Sequence, residues 1–137
     1  MVKKKPVILI IEDENDTRFE LANFLVSKGF ECKSYMDGEK ALNDFHGPYD
    51  LALIDLHLPG MNGFEVFQRL KEKQPDLPAI MLTAFGNYET WGKSLDKGFL
   101  DIIPKPYDFE DLLRNIERWI DGTQKNNSPS EGSSPVR

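Results

Sequence analysis

The sequence predicts an α/β protein built on a parallel sheet of five strands, doubly wound, with helices on both faces. Short apolar runs and helical patterns alternate five times along the chain, in units of roughly 20 to 25 residues. Several of the runs are continuously apolar, which is typical of strands buried on both faces of a parallel sheet. The chain of 137 residues is long enough for one domain with a substantial core and too short for two.

Five segments are predicted to be strands, because each is a short run of mainly apolar residues bounded by turn residues. The second is the weakest, since charged and apolar residues alternate in it and one of its faces would be exposed. The predicted strands are Val7–Ile11, Glu31–Tyr35, Leu51–Ile54, Ala79–Leu82 and Phe99–Ile103.

Five helices are predicted from apolar residues spaced three and four positions apart. The last helix has the clearest pattern, and the fourth has the weakest, because Gly92 costs about 1 kcal/mol in a helix interior. One of Tyr88 and Trp91 in that fourth helix is expected to lie in the core. The apolar helix residues are Leu21, Ala22, Leu25 and Val26; Ala41, Leu42 and Phe45; Phe64, Val66, Phe67 and Leu70; Tyr88, Trp91 and Leu95; Phe109, Leu112, Leu113, Ile116 and Ile120. The predicted N-terminal caps are Asn15 or Asp16, Asn62 with Glu65, Asn87, and Asp108.

Composition excludes several classes of function. The net charge is −6 and no block of basic residues is present, which argues against nucleic-acid binding by this chain alone. No apolar run approaches the roughly 20 residues of a membrane span, and the N-terminus lacks the apolar core of a signal peptide. The single cysteine, Cys32, has no internal disulfide partner and is interpreted as a packing residue in a reducing, cytoplasmic setting.

The composition changes after Asp121. The following stretch, GTQKNNSPSEGSSPVR, has no aromatic residue and one large apolar residue, Val136. Such a segment buries too little surface to offset the entropy lost on ordering. We therefore predict a domain over residues 1–121 and a flexible tail or linker over residues 122–137.

Polar residues stand where the predicted strands end. The first strand is followed by Glu12 and Asp13, the third by Asp55, the fourth by Thr83, and the fifth leads to Lys105. Because parallel strands end at one edge of the sheet, these side chains are expected to converge. Two unit charges about 4 Å apart repel by about 4 kcal/mol at an effective dielectric near 20, so three carboxylates need cations. Lys105 is one, and oxygen ligands of this kind suit Mg²⁺ as the other.

This arrangement suits phosphoryl transfer. A carboxylate beside Mg²⁺ can attack a phosphoryl group and become an aspartyl phosphate, while the metal and Lys105 neutralise charge on the transferred group. The Thr83 hydroxyl would donate to a phosphoryl oxygen, and the small Ala84 leaves room beside it. Each residue alone has a plainer interpretation: Glu12, Asp13 and Asp55 as caps of helices or turns, Thr83 as the end of a strand, Lys105 as a solvated surface charge. Their joint placement favours the site. The rings of His46 and His57 have no ligand spacing and are taken as structural or exposed.

Four motifs resemble the receiver domain of two-component response regulators. They are IIEDE, LALIDLHLPGMNG, IMLTAFG and DIIPKP, and in order and spacing they cover about Pro6 to Asp121. The resemblance implies a flavodoxin-like fold with strand order 2-1-3-4-5. It also implies that Asp55 is the phosphoacceptor, that Asp13 and Asp55 bind Mg²⁺ through their side chains and His57 through its backbone carbonyl, and that Glu12 acts through a metal-bound water.

By the same resemblance, Thr83 is the switch hydroxyl, Lys105 binds the phosphoryl group, and the Lys105–Pro106 peptide bond is cis. The chain departs from the family pattern at two positions. Ile102 stands where the family usually has Tyr or Phe, which puts the usual aromatic switch in doubt, and Phe99 stands where a small residue is usual. We expect Ile102 to stay packed both before and after phosphorylation, because its side chain is short and stiff at χ1.

The implied function is a phosphorylation-controlled switch in a phosphorelay, with a sensor histidine kinase or a histidine phosphotransfer protein as donor and an unidentified downstream effector. Such a protein catalyses only its own phosphoryl transfer and dephosphorylation. One alternative is a Mg²⁺-dependent phosphatase of the haloacid-dehalogenase type, which also uses an Asp nucleophile. That family, however, needs a second Asp at the position of His57, and the chain is short for it. The other alternative is a receiver-like interaction module that is never phosphorylated, against which the intact set of site residues argues.

Overall fold

The computed structural model describes residues 4–84 and 88–124 and has the predicted α/β architecture. Five parallel strands form one sheet in the order β2-β1-β3-β4-β5. The strands are β1 Val7–Ile11, β2 Glu31–Tyr35, β3 Leu51–Asp55, β4 Ala79–Thr83 and β5 Asp101–Pro104. The helices are α1 Asn15–Ser27, α2 Gly38–Asn43, α3 Gly63–Lys73, α4 Tyr88–Asp96 and α5 Phe109–Gln124.

The apolar side chains of the strands divide between the two faces of the sheet, because successive residues of a strand point to opposite sides. On one face, Leu9, Ile11 and Ile54 belong to a buried cluster that contains the apolar residues of α3. On the other, Ile8 and Ile10 belong to a cluster that contains the apolar residues of α1 and α5. β3 and β4 are buried along their whole length, and β2, at the edge, is half-exposed as predicted.

Two predicted helix caps are confirmed. At α3, the Asn62 side chain accepts a hydrogen bond from the Glu65 N–H at 3.0 Å, and the Glu65 carboxylate accepts one from the Asn62 N–H at 3.3 Å. At α5, the Asp108 carboxylate accepts a hydrogen bond from the Glu110 N–H at 2.7 Å. These bonds satisfy N–H groups that have no partner within the first turn of a helix. The predicted cap Asn87 lies outside the described residues.

The predicted start and apolar stripe of α1 need correction. Glu14 is the N-cap residue, because its backbone is extended (φ −80°, ψ 117°), and Asn15 and Asp16 are already helical. The Glu14 carboxylate forms no capping hydrogen bond and instead accepts one from the Thr17 hydroxyl at 2.6 Å. Val26 is 52% exposed and is not part of the stripe, whereas Phe24 packs against the buried cluster.

The second half of the chain shows two further differences from the prediction. β5 begins at Asp101 and not at Phe99, because the Phe99 N–H still donates to the Ser94 carbonyl at the end of α4, at 3.0 Å. The Phe99 ring is nevertheless buried, 4.3 Å from the Phe67 ring centroid. Trp91 is 41% exposed, so it is not the core residue of α4.

The last helix continues past the predicted domain boundary. α5 runs to Gln124, beyond Asp121, and residues 125–137 of the predicted tail lie outside the described residues. The division into residues 1–121 and 122–137 therefore stays a prediction. None of the helices described in residues 4–84 and 88–124 has the length and apolar character to cross a membrane.

Cys32 lies half-buried in β2 and forms no disulfide. Burial, together with the neighbouring Glu31 charge, raises the pKa of its thiol to about 11. Because the thiolate is the reactive form of cysteine, this supports a packing role for Cys32.

Gly63 permits a close approach between α3 and the segment that carries Asp55. A Cβ atom on Gly63 would lie 2.6 Å from the Asp55 carbonyl oxygen and 2.9 Å from the Leu56 Cα. We expect Gly63→Ala to lower the free energy of unfolding by about 2 kcal/mol, as overpacking does, since backbone atoms must move.

Gly92 provides the matched control, because a Cβ atom there would have no neighbour within 4 Å. Gly92→Ala should raise the free energy of unfolding by about 0.5–1 kcal/mol, since alanine favours the helix. Urea unfolding of both variants measures the two changes. Equal effects on stability would contradict the assigned role of Gly63.

Candidate phosphoacceptor site

The residues predicted to converge do lie at the carboxyl edge of the sheet. Asp55 and Thr83 are the last residues of β3 and β4, Glu12 follows β1, and Lys105 follows β5. The parallel register aligns these ends, with Asp55 paired to Leu82 and Thr83 paired to Pro104. The sheet topology thus brings together residues that are far apart in the sequence.

Asp55 is buried, with 5% of its surface exposed, and both of its carboxylate oxygens are held. Oδ1 accepts a hydrogen bond from the His57 backbone N–H at 3.2 Å. Oδ2 accepts one from Lys105 Nζ at 3.0 Å. These contacts fix the orientation of the carboxylate, and the Lys105 ammonium lies where it can neutralise charge that develops on a group transferred to Asp55.

Lys105 bridges two carboxylates. Its Nζ lies 2.7 Å from Glu12 Oε1 and 3.0 Å from Asp55 Oδ2. Burial acts to lower the pKa of Lys105, but the hydrogen bonds to Glu12 and Asp55 outweigh it, so the pKa is raised overall. The Lys105 N–H donates to the Thr83 carbonyl at 2.8 Å, and the Lys105–Pro106 peptide bond is cis. The ammonium is therefore charged at neutral pH, and the backbone hydrogen bond ties the start of its loop to the end of β4.

Glu12 is almost completely buried, at 1% exposure. Burial raises the pKa of its carboxyl, and the hydrogen bond from Lys105 opposes this in part. Its second oxygen, Oε2, accepts a hydrogen bond from the Glu14 N–H at 3.1 Å, and its backbone carbonyl accepts one from Arg18 Nη1 at 2.9 Å. Each oxygen of this buried carboxylate thus has a partner, which makes it a fixed part of the site.

Three carboxylates are placed to hold a metal ion. Glu12, Asp13 and Asp55 each offer one oxygen, and these oxygens lie within 4.8 Å of one another. Asp13 is exposed, so this group opens to solvent on one side. An all-oxygen donor set suits Mg²⁺, which keeps several waters and binds protein through few carboxylates. The predicted use of the His57 backbone carbonyl as a further ligand stays a prediction; the His57 ring is exposed.

Of the remaining predicted site residues, Thr83 and Ala84 lie at the same edge, whereas Ile102 lies within β5 and is paired with Met81 of β4. Thr83 is fully buried at the end of β4, and Ala84 after it is exposed. Ile102 is 5% exposed and packs in the cluster on the α3 face of the sheet. Ala84 and Lys105 open onto a pocket of about 420 Å³. The other residues lining that pocket are Glu14, Thr17, Glu20, Pro106, Tyr107 and Phe109.

Sequence reasoning missed Tyr107 as a residue of this edge. An aromatic residue after proline and before the last helix is most simply interpreted as core. The available signal was its position two residues after Lys105, on the same short loop.

Comparisons with known proteins agree with this geometry. The family model for the response regulator receiver domain matches residues 8–117. The DNA-binding transcriptional regulator NtrC of Escherichia coli (strain K12) is 26% identical over 127 residues, which are 92% of this chain and 27% of that protein. The transcriptional regulatory protein TctD of Salmonella typhimurium (strain LT2) is 37% identical over 106 residues, 77% of this chain and 47% of that protein. The chain thus spans between about a quarter and a half of the length of these curated relatives.

A solved structure gives the same result. The non-phosphorylated HemR receiver domain from Leptospira biflexa is 27% identical and superposes with a TM-score of 0.80, covering 95% of this chain and 100% of that chain. The strand order 2-1-3-4-5 with five helices is the flavodoxin-like receiver fold. Phosphorylation and magnesium binding are typical of such domains. The chain belongs to the response regulator receiver domain family of two-component systems.

Proposed function

We propose that this protein is a phosphorylation-controlled switch that accepts a phosphoryl group on Asp55 from a histidine kinase or a histidine phosphotransfer protein. The observation that carries the proposal is the buried Asp55 carboxylate, 3.0 Å from Lys105 Nζ and beside two further carboxylates. The proposal places the protein in the cytoplasm, in keeping with its free cysteine.

Asp13 and Asp55 would hold Mg²⁺ through their carboxylates and His57 through its backbone carbonyl, while Glu12 would act through a water. When bound, the metal supplies positive charge that offsets the repulsion among the carboxylates and the charge of the phosphoryl group. The donor set supports this, because the three carboxylate oxygens lie within 4.8 Å of one another.

In the transfer step, a carboxylate oxygen of Asp55 attacks the phosphorus atom of a phosphohistidine. The new bond joins oxygen to phosphorus, and the phosphorus–nitrogen bond breaks with its electron pair remaining on the imidazole, which then takes up a proton. Lys105 Nζ neutralises charge on the phosphoryl oxygens, and the Thr83 hydroxyl donates to one of them. The exposed Ala84 leaves room for the group.

The proposal is tested by offering the protein acetyl phosphate, phosphoramidate and p-nitrophenyl phosphate, each with Mg²⁺. We expect the first two to add one phosphoryl group per chain, measured by intact-mass spectrometry. We expect no sustained release of p-nitrophenol, since Asp55 has His57 where a phosphatase of the haloacid-dehalogenase type has its general acid. Steady turnover of the monoester would identify an enzyme instead, and failure of both small donors to label the protein would favour an interaction module.

We further propose that the signal leaves the site through α4 and not through Ile102. Ile102 is 5% exposed and β-branched, so it has little room to change rotamer. Trp91 and Leu95 on α4 are 41% and 56% exposed, which suits a partner surface formed by α4, β5 and α5.

Beryllofluoride is a mimic of the phosphoryl group. Structures with and without Mg²⁺ and beryllofluoride would show whether α4 moves and whether Ile102 changes rotamer. We expect α4 to shift while Ile102 keeps its rotamer. An Ile102 side chain that becomes exposed beside an unmoved α4 would contradict the proposed route.

A further inference from the structure

The hydroxyl group of Tyr107 is buried and, among residues 4–84 and 88–124, has no hydrogen-bond partner. A buried hydroxyl without a partner is unfavourable, because it has given up its bonds to water and gained none in return. Such groups are uncommon in folded proteins, and each calls for an explanation. The Tyr107 ring packs against the ring of Phe109, the first residue of α5, at a centroid distance of 6.0 Å.

The position of the hydroxyl suggests what it is for. Tyr107 lines the same pocket as Ala84 and Lys105, and the Lys105 ammonium lies 3.0 Å from Asp55 Oδ2. Burial raises the pKa of Tyr107 to about 12. The nearby Lys105 charge acts to lower this pKa, and the Glu12 and Asp55 charges act to raise it. The hydroxyl is therefore protonated at neutral pH and available as a donor. What it lacks, within the part of the chain that the structure describes, is an acceptor.

We propose that Tyr107 is a phosphoryl-binding residue whose hydroxyl obtains its acceptor only when the site is loaded. The acceptor is an oxygen of the phosphoryl group on Asp55 or a water that this group orders. The inference rests on the proposed function and adds a third donor to the Lys105 ammonium and the Thr83 hydroxyl. This hydrogen bond would form only when Asp55 carries a phosphoryl group. Its free energy would therefore stabilise the phosphorylated protein and not the free protein.

Tyr107→Phe tests this, because it removes the hydroxyl and keeps the ring. The melting temperature of the free variant should be equal to or above that of the wild type, since an unpaired buried hydroxyl is lost. Its affinity for beryllofluoride in the presence of Mg²⁺ should fall about tenfold, the effect of one hydrogen bond to a charged group. Titration calorimetry or the rise in melting temperature with beryllofluoride measures the affinity.

Tyr35→Phe is the matched control. The Tyr35 hydroxyl donates to Asp44 Oδ2 at 2.6 Å, so this change removes a hydroxyl that already has its partner. It should lower the melting temperature and leave the beryllofluoride affinity unchanged. Equal beryllofluoride affinity in the wild type and Tyr107→Phe would overturn the inference alone. A wild type that does not bind beryllofluoride at all would overturn it together with the proposed function.

Discussion

Replacing Asp55 by asparagine is expected to abolish phosphoryl incorporation from acetyl phosphate in the presence of Mg²⁺. The wild type should gain the mass of one phosphoryl group, and Asp55→Asn none. The reason is chemical, because an amide is a far weaker nucleophile than a carboxylate. Among the described residues, two buried carboxylates contact Lys105: Asp55 at 3.0 Å and Glu12 at 2.7 Å. Intact-mass spectrometry over a time course measures the loss.

Asp76→Asn makes the same chemical change at an exposed carboxylate in the turn before β4, at the opposite edge of the sheet. It should be labelled like the wild type. Because Glu12 is the remaining buried carboxylate beside Lys105, the double variant Asp55→Asn with Glu12→Gln distinguishes residual labelling of Glu12 from chemistry elsewhere. Full labelling of Asp55→Asn would show that the phosphoacceptor is another residue.

Replacing Lys105 by methionine is expected to cost stability in the absence of divalent metal and to be partly rescued by Mg²⁺. The substitution leaves the carboxylates of Glu12 and Asp55 without their shared cation, and breaking a buried pair by removing one partner typically costs about 3 kcal/mol. Urea unfolding with EDTA and with excess Mg²⁺ measures both effects. A ligand that binds the folded state alone adds about 2.7 kcal/mol at 100 times its dissociation constant.

The loss of stability in Lys105→Met should also depend on pH. Burial raises the pKa of Glu12, so the folded protein holds the Glu12 proton more tightly than the unfolded chain does. Stability from this group is therefore greatest below the ordinary value of 4.5 and declines as the pH rises, and removing Lys105 should deepen the decline.

Lys40→Met at an exposed position of α2 is the control and should change little. If Lys105→Met in EDTA were as stable as the wild type at pH 8, the two carboxylates would not depend on Lys105 for their charge balance.

Most of the fold was predictable because its signals are local. The continuous apolar runs of β1, β3 and β4 are buried as such runs predict, and the Asn62–Glu65 pair caps α3 as its spacing indicates. The convergence of Asp55, Thr83 and Lys105 was also predictable. This prediction needs only the rule that parallel strands end at the same edge of a sheet. It does not require the exact register between neighbouring strands.

The features that were missed depend on contacts distant in the sequence. Val26 has the helical spacing expected for the buried side of α1, yet it is exposed. Phe24 packs against the buried cluster on the α1 and α5 face of the sheet instead. The start of β5 was misplaced because the Phe99 backbone completes the turn after α4, while its side chain is as apolar as a strand residue. The isolated hydroxyl of Tyr107 belongs to the same class, since an unpaired donor is a property of its surroundings and not of the sequence pattern.

The ammonium of Lys105, shared between Glu12 and Asp55, has a consequence for cooperativity. A phosphoryl group on Asp55 competes with Glu12 for this single positive charge, while a divalent cation releases part of it. Metal and phosphoryl group should therefore bind with positive coupling, and linkage requires each to raise the affinity of the other by the same factor. In the free protein the single ammonium of Lys105 faces the three carboxylates of Glu12, Asp13 and Asp55, so metal and phosphoryl group together are expected to balance the charge of the site better than either does alone.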